Sequence, residues 1–429
     1  MSLEFETFLA EDYCLRVADG THDSPKEVEF GKKLVTSKNI IGGKLDLEKS
    51  YFISLEDFNE VNKRSKVDQW DILISMIGTV GEVALIKEKP DFAIKNVGLL
   101  KNNDEYAAKW LYYYLKSDLG QYQIKSRLRG TTQLYIPLKD LRKLEIEVPK
   151  NREELIKIVK ILDNIDLKIE NCLMINHNLD ALCHIIFKHY FIDFTPFIDK
   201  GFVDSEIGEI PKEWAVTTVG NILDCKLGGT PSRSNESYWD GDIAWINSGK
   251  INEFRIIEPS EYITEEGLKK SATKLLPAKT TVIAITGATL GQISLLEIDS
   301  CANQSVIGVI PNKEYPYEFV YPLISSILDD LLKHQTGGAQ QHINKNNVES
   351  FNIVCPPKDI ISKYTNIVSP LYSQISTNCF EIEKLQKLRD TLLPKLMSGE
   401  IDVSKINCDL KLIIRKFIFK IISYLEDLI

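Results

Sequence analysis

The chain has no apolar run long enough to span a membrane. Its best candidate, residues 410–425, is interrupted by basic residues, among them Arg415, Lys416 and Lys420, whereas a helical span needs about 20 consecutive apolar residues. Glu4 and Glu6 stand where a secretory leader would carry positive charge. We therefore expect a cytoplasmic protein without membrane contact.

Cysteine pairs, metal-ligand spacings and catalytic motifs are also missing. The eight cysteines are scattered, with no C-x-x-C pair and no histidine at ligand spacing, which predicts reduced thiols and no bound metal. Gly287-Ala-Thr-Leu-Gly-Gln292 lacks both the spacing and the lysine of a phosphate-binding loop. No Asn-Pro-Pro-aromatic or Asp-Pro-Pro-aromatic motif of an amino-methyltransferase occurs, and Cys355-Pro-Pro357 is interpreted as structural. The sequence thus predicts neither a catalytic site nor a cofactor in this chain.

An excess of positive charge is absent as well. The formal net charge is −9, which argues against a surface built for non-specific nucleic-acid binding. One local basic run contains a single acid, Asp140, among the residues Lys125, Arg127, Arg129, Lys139, Arg142 and Lys143. Such a run indicates either ordinary solvated surface or a face that meets a phosphate backbone.

What the sequence does contain is a long apolar stripe that occurs twice. Within each copy the stripe residues are spaced three and four apart, the seam by which one helix packs along another. The first copy comprises Leu155, Ile158, Leu162, Ile165, Ile169, Cys172, Asn176, Leu179, Cys183, Ile186 and Tyr190. The second lies 206 residues later and comprises Ile361, Tyr364, Val368, Leu371, Ile375, Asn378, Ile382, Leu385, Arg389, Leu392 and Leu396.

We predict two long helices over residues 153–190 and 358–397, although two core helices of one large domain would also carry apolar stripes. Pro370 removes a backbone donor, so a kink or a restart is expected there. Asn176, Asn378 and Arg389 interrupt the seam and could fix its register. Gly399 supplies a helix end.

The segment before each helix is also repeated. Residues 71–78, a predicted strand, match residues 280–287, and Gly78-Thr-Val-Gly81 matches Gly287-Ala-Thr-Leu-Gly291. Residues 129–136 align with residues 336–343 without a gap. We infer an internal duplication and an α+β protein of two similar mixed α/β domains. The predicted segments are a first domain (1–150), helix (151–192), linker (193–213), second domain (214–357), helix (358–398) and tail (399–429).

Chain order predicts the arrangement of these parts. If the two seams pair, the second helix runs back along the first, and the two domains lie at opposite ends of an antiparallel coiled coil, related by a pseudo-two-fold axis. A DNA duplex has two-fold axes perpendicular to its own axis, so this symmetry suits two half-sites separated by a spacer.

Glycine-bounded loops at equivalent places in both halves are the candidate DNA contacts. Glycine allows close backbone approach, and Thr and Gln side chains bond base edges and phosphates. Each loop taken alone is equally well explained as a hairpin turn. The candidates are Gly78, Thr79, Gly81, Gly130, Thr131, Thr132 and Gln133 in the first half, and Gly287, Thr289, Gly291, Gly337, Gly338, Gln340, Gln341 and His342 in the second. Lys125, Arg127 and Arg129 are expected to contact phosphates.

Several motifs together resemble the DNA specificity subunit of Type I restriction-modification systems. They are Lys160-Ile-Leu-Asp-Asn-Ile-Asp-Leu-Lys-Ile-Glu170, residues 187–194, residues 208–214, Gly228-Gly-Thr-Pro-Ser232, Trp245-Ile-Asn-Ser248 and Leu392-Leu-Pro-Lys-Leu-Met-Ser-Gly-Glu-Ile401. The first half lacks a clear Gly-Gly-Thr-Pro motif, and Asp19-Gly-Thr-His22 is the nearest match. The tail after Val403 exceeds what the family usually shows.

The resemblance implies two target-recognition domains that each read half of a bipartite site in double-stranded DNA. The helices would set the spacer and dock methyltransferase subunits, which carry S-adenosylmethionine. Restriction/translocase subunits with ATP and Mg²⁺ would complete the complex. The resemblance adds Thr230, Ser232, Arg233, Asn247, Ser248 and Lys250 to the candidate DNA contacts.

Two other classes of function stay open on sequence alone. A free-standing sequence-specific DNA-binding protein would bind tightly without partners. A nuclease or methylase would show activity with Mg²⁺ or S-adenosylmethionine.

Overall fold

The computed structural model describes residues 3–333 and 342–403. These form two compact units: unit 1 takes the residues up to Lys168 and those from Leu385 onward, and unit 2 takes Ile169–Lys384. The division between the units falls inside each of the two long helices. Unit 2 is therefore continuous along the chain, whereas unit 1 is assembled from two separate segments.

The two long helices are present at the predicted positions. Each contains 40 residues. In chain order the α-helices of the described residues are α1 Ala10–Tyr13, α2 Leu55–Ser65, α3 Glu105–Lys116, α4 Asp118–Lys125, α5 Leu138–Arg142, α6 Arg152–Phe191, α7 Val219–Ile222, α8 Glu265–Lys269, α9 Tyr317–Lys333, α10 Lys345–Glu349 and α11 Lys358–Met397. Gly399 follows α11 with φ +74°, which confirms the predicted helix end.

Unit 1 is built on short antiparallel strands with one parallel pair. Its strands are β1 Phe5–Leu9, β2 Arg16–Asp19, β3 Lys32–Thr36, β4 Ile40–Ile41, β5 Lys44–Leu45, β6 Tyr51–Ile53, β7 Ile72–Ser75, β8 Val83–Leu85, β9 Phe92–Lys95, β10 Val97–Lys101 and β11 Glu145–Pro149. The sheets have the orders β1-β11, β2-β10-β7-β8, β6-β3-β9 and β4-β5.

Unit 2 repeats this plan. Its strands are β12 Phe202–Ser205, β13 Gly208–Pro211, β14 Ala215–Thr218, β15 Asp224–Leu227, β16 Trp239–Ile246, β17 Glu261–Ile263, β18 Leu275–Leu276, β19 Thr281–Ala284, β20 Ile293–Leu295, β21 Ser300–Ala302, β22 Val306–Ile310 and β23 Asn352–Cys355. The sheets have the orders β12-β13, β14-β23, β15-β22-β19-β20 and β17-β16-β21-β18.

The strand pairings confirm the duplication. The four-stranded sheet β2-β10-β7-β8 has the same connectivity as β15-β22-β19-β20. The two-stranded sheet that precedes each long helix is β1-β11 in one unit and β14-β23 in the other. Each unit also has a parallel pair, β3 with β9 and β16 with β21. Equivalent pairings in equivalent order are what repetition of one ancestral domain produces.

In unit 1 the start of α6 packs against the end of α11. Buried Leu155, Ile158 and Leu162 share a core with Leu396. The predicted seam residue Arg389 donates from Nη1 to Asp166 Oδ1 at 3.0 Å. A half-buried ion pair of this kind constrains which residues of the two helices face one another.

In unit 2 the remaining parts of the same helices pair through a polar contact. Asn378 Nδ2 donates to Asn176 Oδ1 at 2.8 Å, and both residues are buried. Cys172 contacts Glu381 at 3.8 Å. From Cys172 to Asn176 the partner residue on α11 moves back from Glu381 to Asn378. The two helices are therefore antiparallel within this unit. The proposal that Asn176 and Asn378 fix the register agrees with this geometry.

The seam is wider than the sequence indicates, because each helix also packs against its own small domain. Ile165, Ile169, Ile361, Tyr364, Val368, Ile375 and Ile382 are buried as predicted. Leu179, Ile186, Leu371, Leu385 and Leu392 are half-buried. Val159, Phe187, Tyr372 and Leu393 are buried outside the predicted stripe.

The expectation at Pro370 was a kink or a restart; α11 does not restart there, since it is one continuous helix from Lys358 to Met397, and the kink stays a prediction. Pro370 is exposed. The carbonyl that loses its donor, on Asn366, belongs to another exposed residue, where water can replace the missing hydrogen bond.

The cysteines of the described residues are free thiols, and all except half-buried Cys355 are buried. Burial raises the pKa of the Cys14, Cys183 and Cys225 thiols to about 12. Thiols held in the protonated form are poor nucleophiles and poor metal ligands.

Candidate nucleic-acid interface

Unit 1 brings its two candidate loops together. The turn after β7 and the loop 129–135 meet where Gly78 N donates to Leu134 O at 3.2 Å. Arg129 and Tyr135 close the second loop with two backbone hydrogen bonds, each 2.9 Å long. The side chains between them, Thr131, Thr132 and Gln133, are exposed, as are Gly78 and Thr79. The result is one polar surface made from two segments that lie 50 residues apart in the chain.

The glycines of this surface have different roles. Gly130 has φ +93°, and a Cβ there would lie 2.3 Å from Gln133 O, so only glycine fits the tight turn. Gly81, with φ +98°, is buried beneath Gln121. Its carbonyl accepts from Gln121 Nε2 at 3.0 Å, so part of its backbone is already occupied, and its contact with DNA stays a prediction.

Two arginines of the basic run are held by the protein. Arg127 Nη1 donates to Gln123 O at 2.9 Å, and its Nη2 donates to Lys143 O at 3.2 Å. Arg129 Nε donates to Asp140 Oδ2 at 2.9 Å. Lys125 is exposed at the end of α4. The Arg127 guanidinium thus ties α4 to the segment before β11, and the DNA contacts of Lys125, Arg127 and Arg129 stay predictions.

Unit 2 carries the equivalent loops where they are described. Thr286 bridges His342, and Ile343 N donates to Ile285 O at 3.1 Å, which matches the bridge between Ile77 and Tyr135 in unit 1. Gly287 is exposed with φ +67°. Two further predicted contacts, Thr289 and Gly291, are half-buried, and four others, Gly337, Gly338, Gln340 and Gln341, lie outside the described residues.

The Gly-Gly-Thr-Pro motif follows β15 at a point of close backbone approach. Gly228 N donates to Val306 O at 2.9 Å and Gly229 N to Ala302 O at 2.8 Å. A Cβ on Gly228 would lie 2.1 Å from Asn303 O. Glycine is required there because another backbone occupies the space of a side chain.

The structure supplies the counterpart in unit 1. Gly20 N donates to Val97 O at 2.8 Å and Thr21 N to Ile94 O at 3.1 Å, the same two bonds about 208 residues earlier. A Cβ on Gly20 would lie 2.5 Å from Ile94 O. The weak sequence match at residues 19–22 therefore marks the equivalent structural position.

One polar pair beside this motif recurs in both units. Thr230 Oγ1 donates to Gln304 Oε1 at 2.6 Å. In unit 1 the ring nitrogen Nδ1 of His22 lies 2.8 Å from Asn96 Oδ1. Sequence reasoning missed His22 and Asn96 as candidates because neither residue type is shared with unit 2.

A second polar segment follows the parallel strand of each unit. In unit 2, Asn247 Oδ1 accepts from Gly249 N at 2.9 Å, which starts a short 3₁₀ turn that includes Ser248. In unit 1, Thr36 at the end of β3 occupies the same place and directly precedes a 3₁₀ turn at Ser37–Asn39. Ser37 is buried, and the missed candidates are thus Thr36 and Lys38, which strand register alone identifies.

Arg233, a predicted DNA contact, already has partners within unit 2, and its contact with DNA stays a prediction. Its guanidinium pairs with Glu261 through both Nη atoms, with Nη2 2.9 Å from Oε1, and stacks 3.6 Å above the Trp239 ring. This pairing raises the pKa of Arg233. Its role is to hold the exposed loop that contains Ser232. Similarly, Lys250 pairs with Glu253 at 2.8 Å.

Comparison with known proteins assigns this fold and these loops to one family. A family model described as the Type I restriction modification DNA specificity domain matches residues 25–177 and again residues 211–387. The chain belongs to this family. The two matches fall in different halves of the chain, as the internal duplication requires.

Individual members of the DNA specificity family are also similar to this chain. The specificity subunit of the Type I restriction enzyme MjaIX of Methanocaldococcus jannaschii is 28% identical over 341 residues, 78% of this chain and 78% of that protein. The HindI specificity subunit of Haemophilus influenzae is 24% identical over 336 residues, 64% of this chain and 72% of that protein. The Type I S subunit crystal structure from M. genitalium has a TM-score of 0.59 at 19% identity, covering 92% and 96% of the two chains. That last likeness supports the fold.

Among the described residues of this specificity protein, no group of three or more His, Cys, Asp or Glu side chains is arranged to hold a metal ion. No helix in the same ranges has the length and apolar character needed to cross a membrane.

Substitution of Gly228 by alanine is expected to destabilise unit 2 by about 3 kcal/mol, because the new Cβ overlaps a backbone carbonyl that cannot rotate away. Gly78→Ala is the matched control: its Cβ meets nothing within 4 Å, and only φ +81° opposes it, a cost of about 1 kcal/mol. Urea unfolding of both variants measures the difference. Equal destabilisation by the two would contradict the close approach at Gly228.

Proposed function

We propose that this chain is the subunit that gives a Type I restriction-modification complex its DNA sequence specificity, each unit reading one half of a bipartite site. The observation that carries the proposal is the recurrence of one strand framework in both units, with an equivalent bridge beside the turn after β7 and the turn after β19. Specific reading of a duplex requires donors and acceptors aimed at base edges from a rigid support. The strands and their cross-strand hydrogen bonds supply that support.

An exposed apolar face of α6 supports the proposal that methyltransferase subunits dock on this helix. In unit 2, Met174 and Ile185 are 61% and 64% exposed. The step of eleven residues between them corresponds to about three helical turns, so these side chains share one face. That face is opposite the buried seam residues Cys172, Asn176 and Cys183. An apolar stripe exposed along a helix is suited to a protein partner.

The enzymatic chemistry of the complex is assigned to those partners. Methyltransferase subunits would bring S-adenosylmethionine, and restriction/translocase subunits would bring ATP and Mg²⁺. The cytoplasm is the expected location of such a complex because its substrate is chromosomal or invading DNA. The paired helices, each 40 residues long and so on the order of 60 Å, are proposed to set the spacer between the half-sites.

Selection of duplexes from a random pool tests the proposal. The full chain, co-expressed with the methyltransferase subunit of its own system, is expected to co-purify with that subunit and enrich two short fixed sequences separated by a spacer of constant length. A single continuous fixed sequence would contradict the two-reader proposal. Tight and equally specific binding by the chain alone would instead favour a free-standing DNA-binding protein.

A further inference from the structure

A cleft of about 390 Å³ opens in unit 1 beside the candidate recognition loops. Its walls include Gly43, the turn from Thr79 to Gly81, the side chain of Lys116 at the end of α3, and Arg389 of α11. These four segments are distant from one another in sequence. The cleft therefore exists only when the recognition turn, α3 and the long helix are assembled.

Lys116 is the unusual side chain of this cleft. Its ammonium donates to Tyr112 Oη at 3.1 Å and lies 4.9 Å from the centre of the Tyr112 ring. Within the described ranges, no carboxylate forms an ion pair with Lys116. Burial lowers the pKa of Lys116, because the charged form is incompletely solvated. A half-buried ammonium with spare donors is suited to receive an anion.

The acidic groups around Lys116 already have donors of their own. Asp166 accepts from Tyr113 Oη at 2.9 Å and from Arg389 Nη1 at 3.0 Å. Asp390 accepts from Arg389 Nη2 at 2.9 Å. Glu82, the carboxylate that lines the cleft, accepts from Gly42 N at 3.1 Å. Among the described residues, the Lys116 ammonium and the Glu82 carboxylate thus lack a counter-ion in direct contact, and Lys116 is the cation of this pair that can receive an anionic ligand.

We propose that the cleft binds one phosphate of the DNA backbone next to the half-site that unit 1 reads, with the Lys116 ammonium and the Thr79 hydroxyl as donors. The inference rests on the proposed function and adds to it a named phosphate contact. Thr79 lies in the same turn whose Gly78 bonds the 129–135 loop, so a phosphate held here fixes the register of that loop on the bases.

The contact is specific to unit 1. In unit 2 the helix that corresponds to α3 is α9. It contains no lysine before its last residue, Lys333. The two units would therefore differ in how they hold the backbone even though their strand frameworks correspond.

Neutral methylphosphonate groups, placed one at a time through the selected duplex, test the proposal with the assembled methyltransferase complex. The wild-type protein is expected to lose about tenfold in affinity at one phosphate beside the unit 1 half-site. Lys116→Met should lose about tenfold on the unmodified duplex and show no further loss at that phosphate. Lys116→Arg keeps the charge and should retain the wild-type sensitivity. Lys63→Met, at an exposed position of α2, is the matched control and should behave as wild type.

The outcomes separate the two levels of inference. If the proposed function is wrong, the wild-type complex will fail to select any bipartite duplex. If the phosphate site is wrong, the Lys116→Met variant will show the same sensitivity to methylphosphonate at each position as the wild-type protein. If Lys116→Met does not fold, as judged by thermal unfolding, Thr79→Val removes the second donor and must reduce sensitivity at the same phosphate. A wild-type map for that variant would overturn the site.

Discussion

Replacing Met174 and Ile185 together by glutamate is expected to abolish assembly with the methyltransferase subunits, with a loss of affinity of more than about a hundredfold. Both side chains are more than half exposed, so the change costs little in the isolated chain. In a docked complex the two carboxylates would be buried without partners, and each such charge at an interface centre typically costs 2 kcal/mol or more. Size-exclusion chromatography with the methyltransferase subunit measures the effect.

The matched control replaces His177 and His189 by glutamate on the same helix. These residues are also exposed, but they are polar and outside the apolar stripe. The control adds the same charge to the same helix and should assemble normally. If the control variant dissociates to the same extent, the added negative charge on the helix is enough to prevent assembly, and the apolar stripe is not the docking surface.

Replacing Thr131, Thr132 and Gln133 together by alanine is expected to relax the sequence preference in one half-site and leave the other half-site unchanged. The three exposed side chains lie between the paired residues Arg129 and Tyr135, so the loop backbone should survive. Loss of a base contact typically costs 1–3 kcal/mol of discrimination, which predicts a ten- to hundredfold weaker preference at the affected base pairs. Sequencing of duplexes selected by the assembled complex gives the result.

Alanine substitution of Lys87, Glu88 and Lys89, an exposed turn of the same unit, serves as the control. It should change neither half-site. Relaxation of both half-sites by the loop variant would refute the assignment of one half-site to each unit.

The long helices were the most predictable part of this protein. The predicted range 153–190 compares with Arg152–Phe191 in the structure, because an apolar seam of five heptads has no common alternative to a helix. At Pro370 the sequence left a kink and a restart open, and the helix does not restart, because the effect of the proline depends on whether it faces the core or water. That orientation is a property of the fold, and the spacing of apolar residues does not specify it.

The small domains were less predictable for a physical reason. The parallel pairing of β3 with β9 joins Val35 to Ile94, and no local pattern encodes a contact over such a distance. The equivalence of Gly20 with Gly228 likewise depends on carbonyls from another strand. Residue types indicated where close approach was needed, whereas the hydrogen-bond partners came only from the fold.

The candidate contacts show the same limit. Exposure of Thr131 and Gln133 agrees with the prediction, but Arg233 and Gly81 have the right chemistry and are occupied or enclosed by neighbouring groups. A side chain's availability depends on what surrounds it. The phosphate cleft at Lys116 was invisible in the sequence, since its walls come from four separate segments.

The discontinuity of unit 1 determines the order in which the nascent chain can mature on the ribosome. The core around Leu155, Ile158 and Leu162 includes Leu393 and Leu396, which are synthesised only after the whole of Ile169–Lys384. At typical translation speeds of about 5–20 residues per second, that interval lasts roughly 10–40 seconds. All of unit 2 is synthesised before the second segment of unit 1. The domain that begins the chain is therefore the last to be completed. During the delay, its apolar helix face is exposed to chaperones and to neighbouring nascent chains.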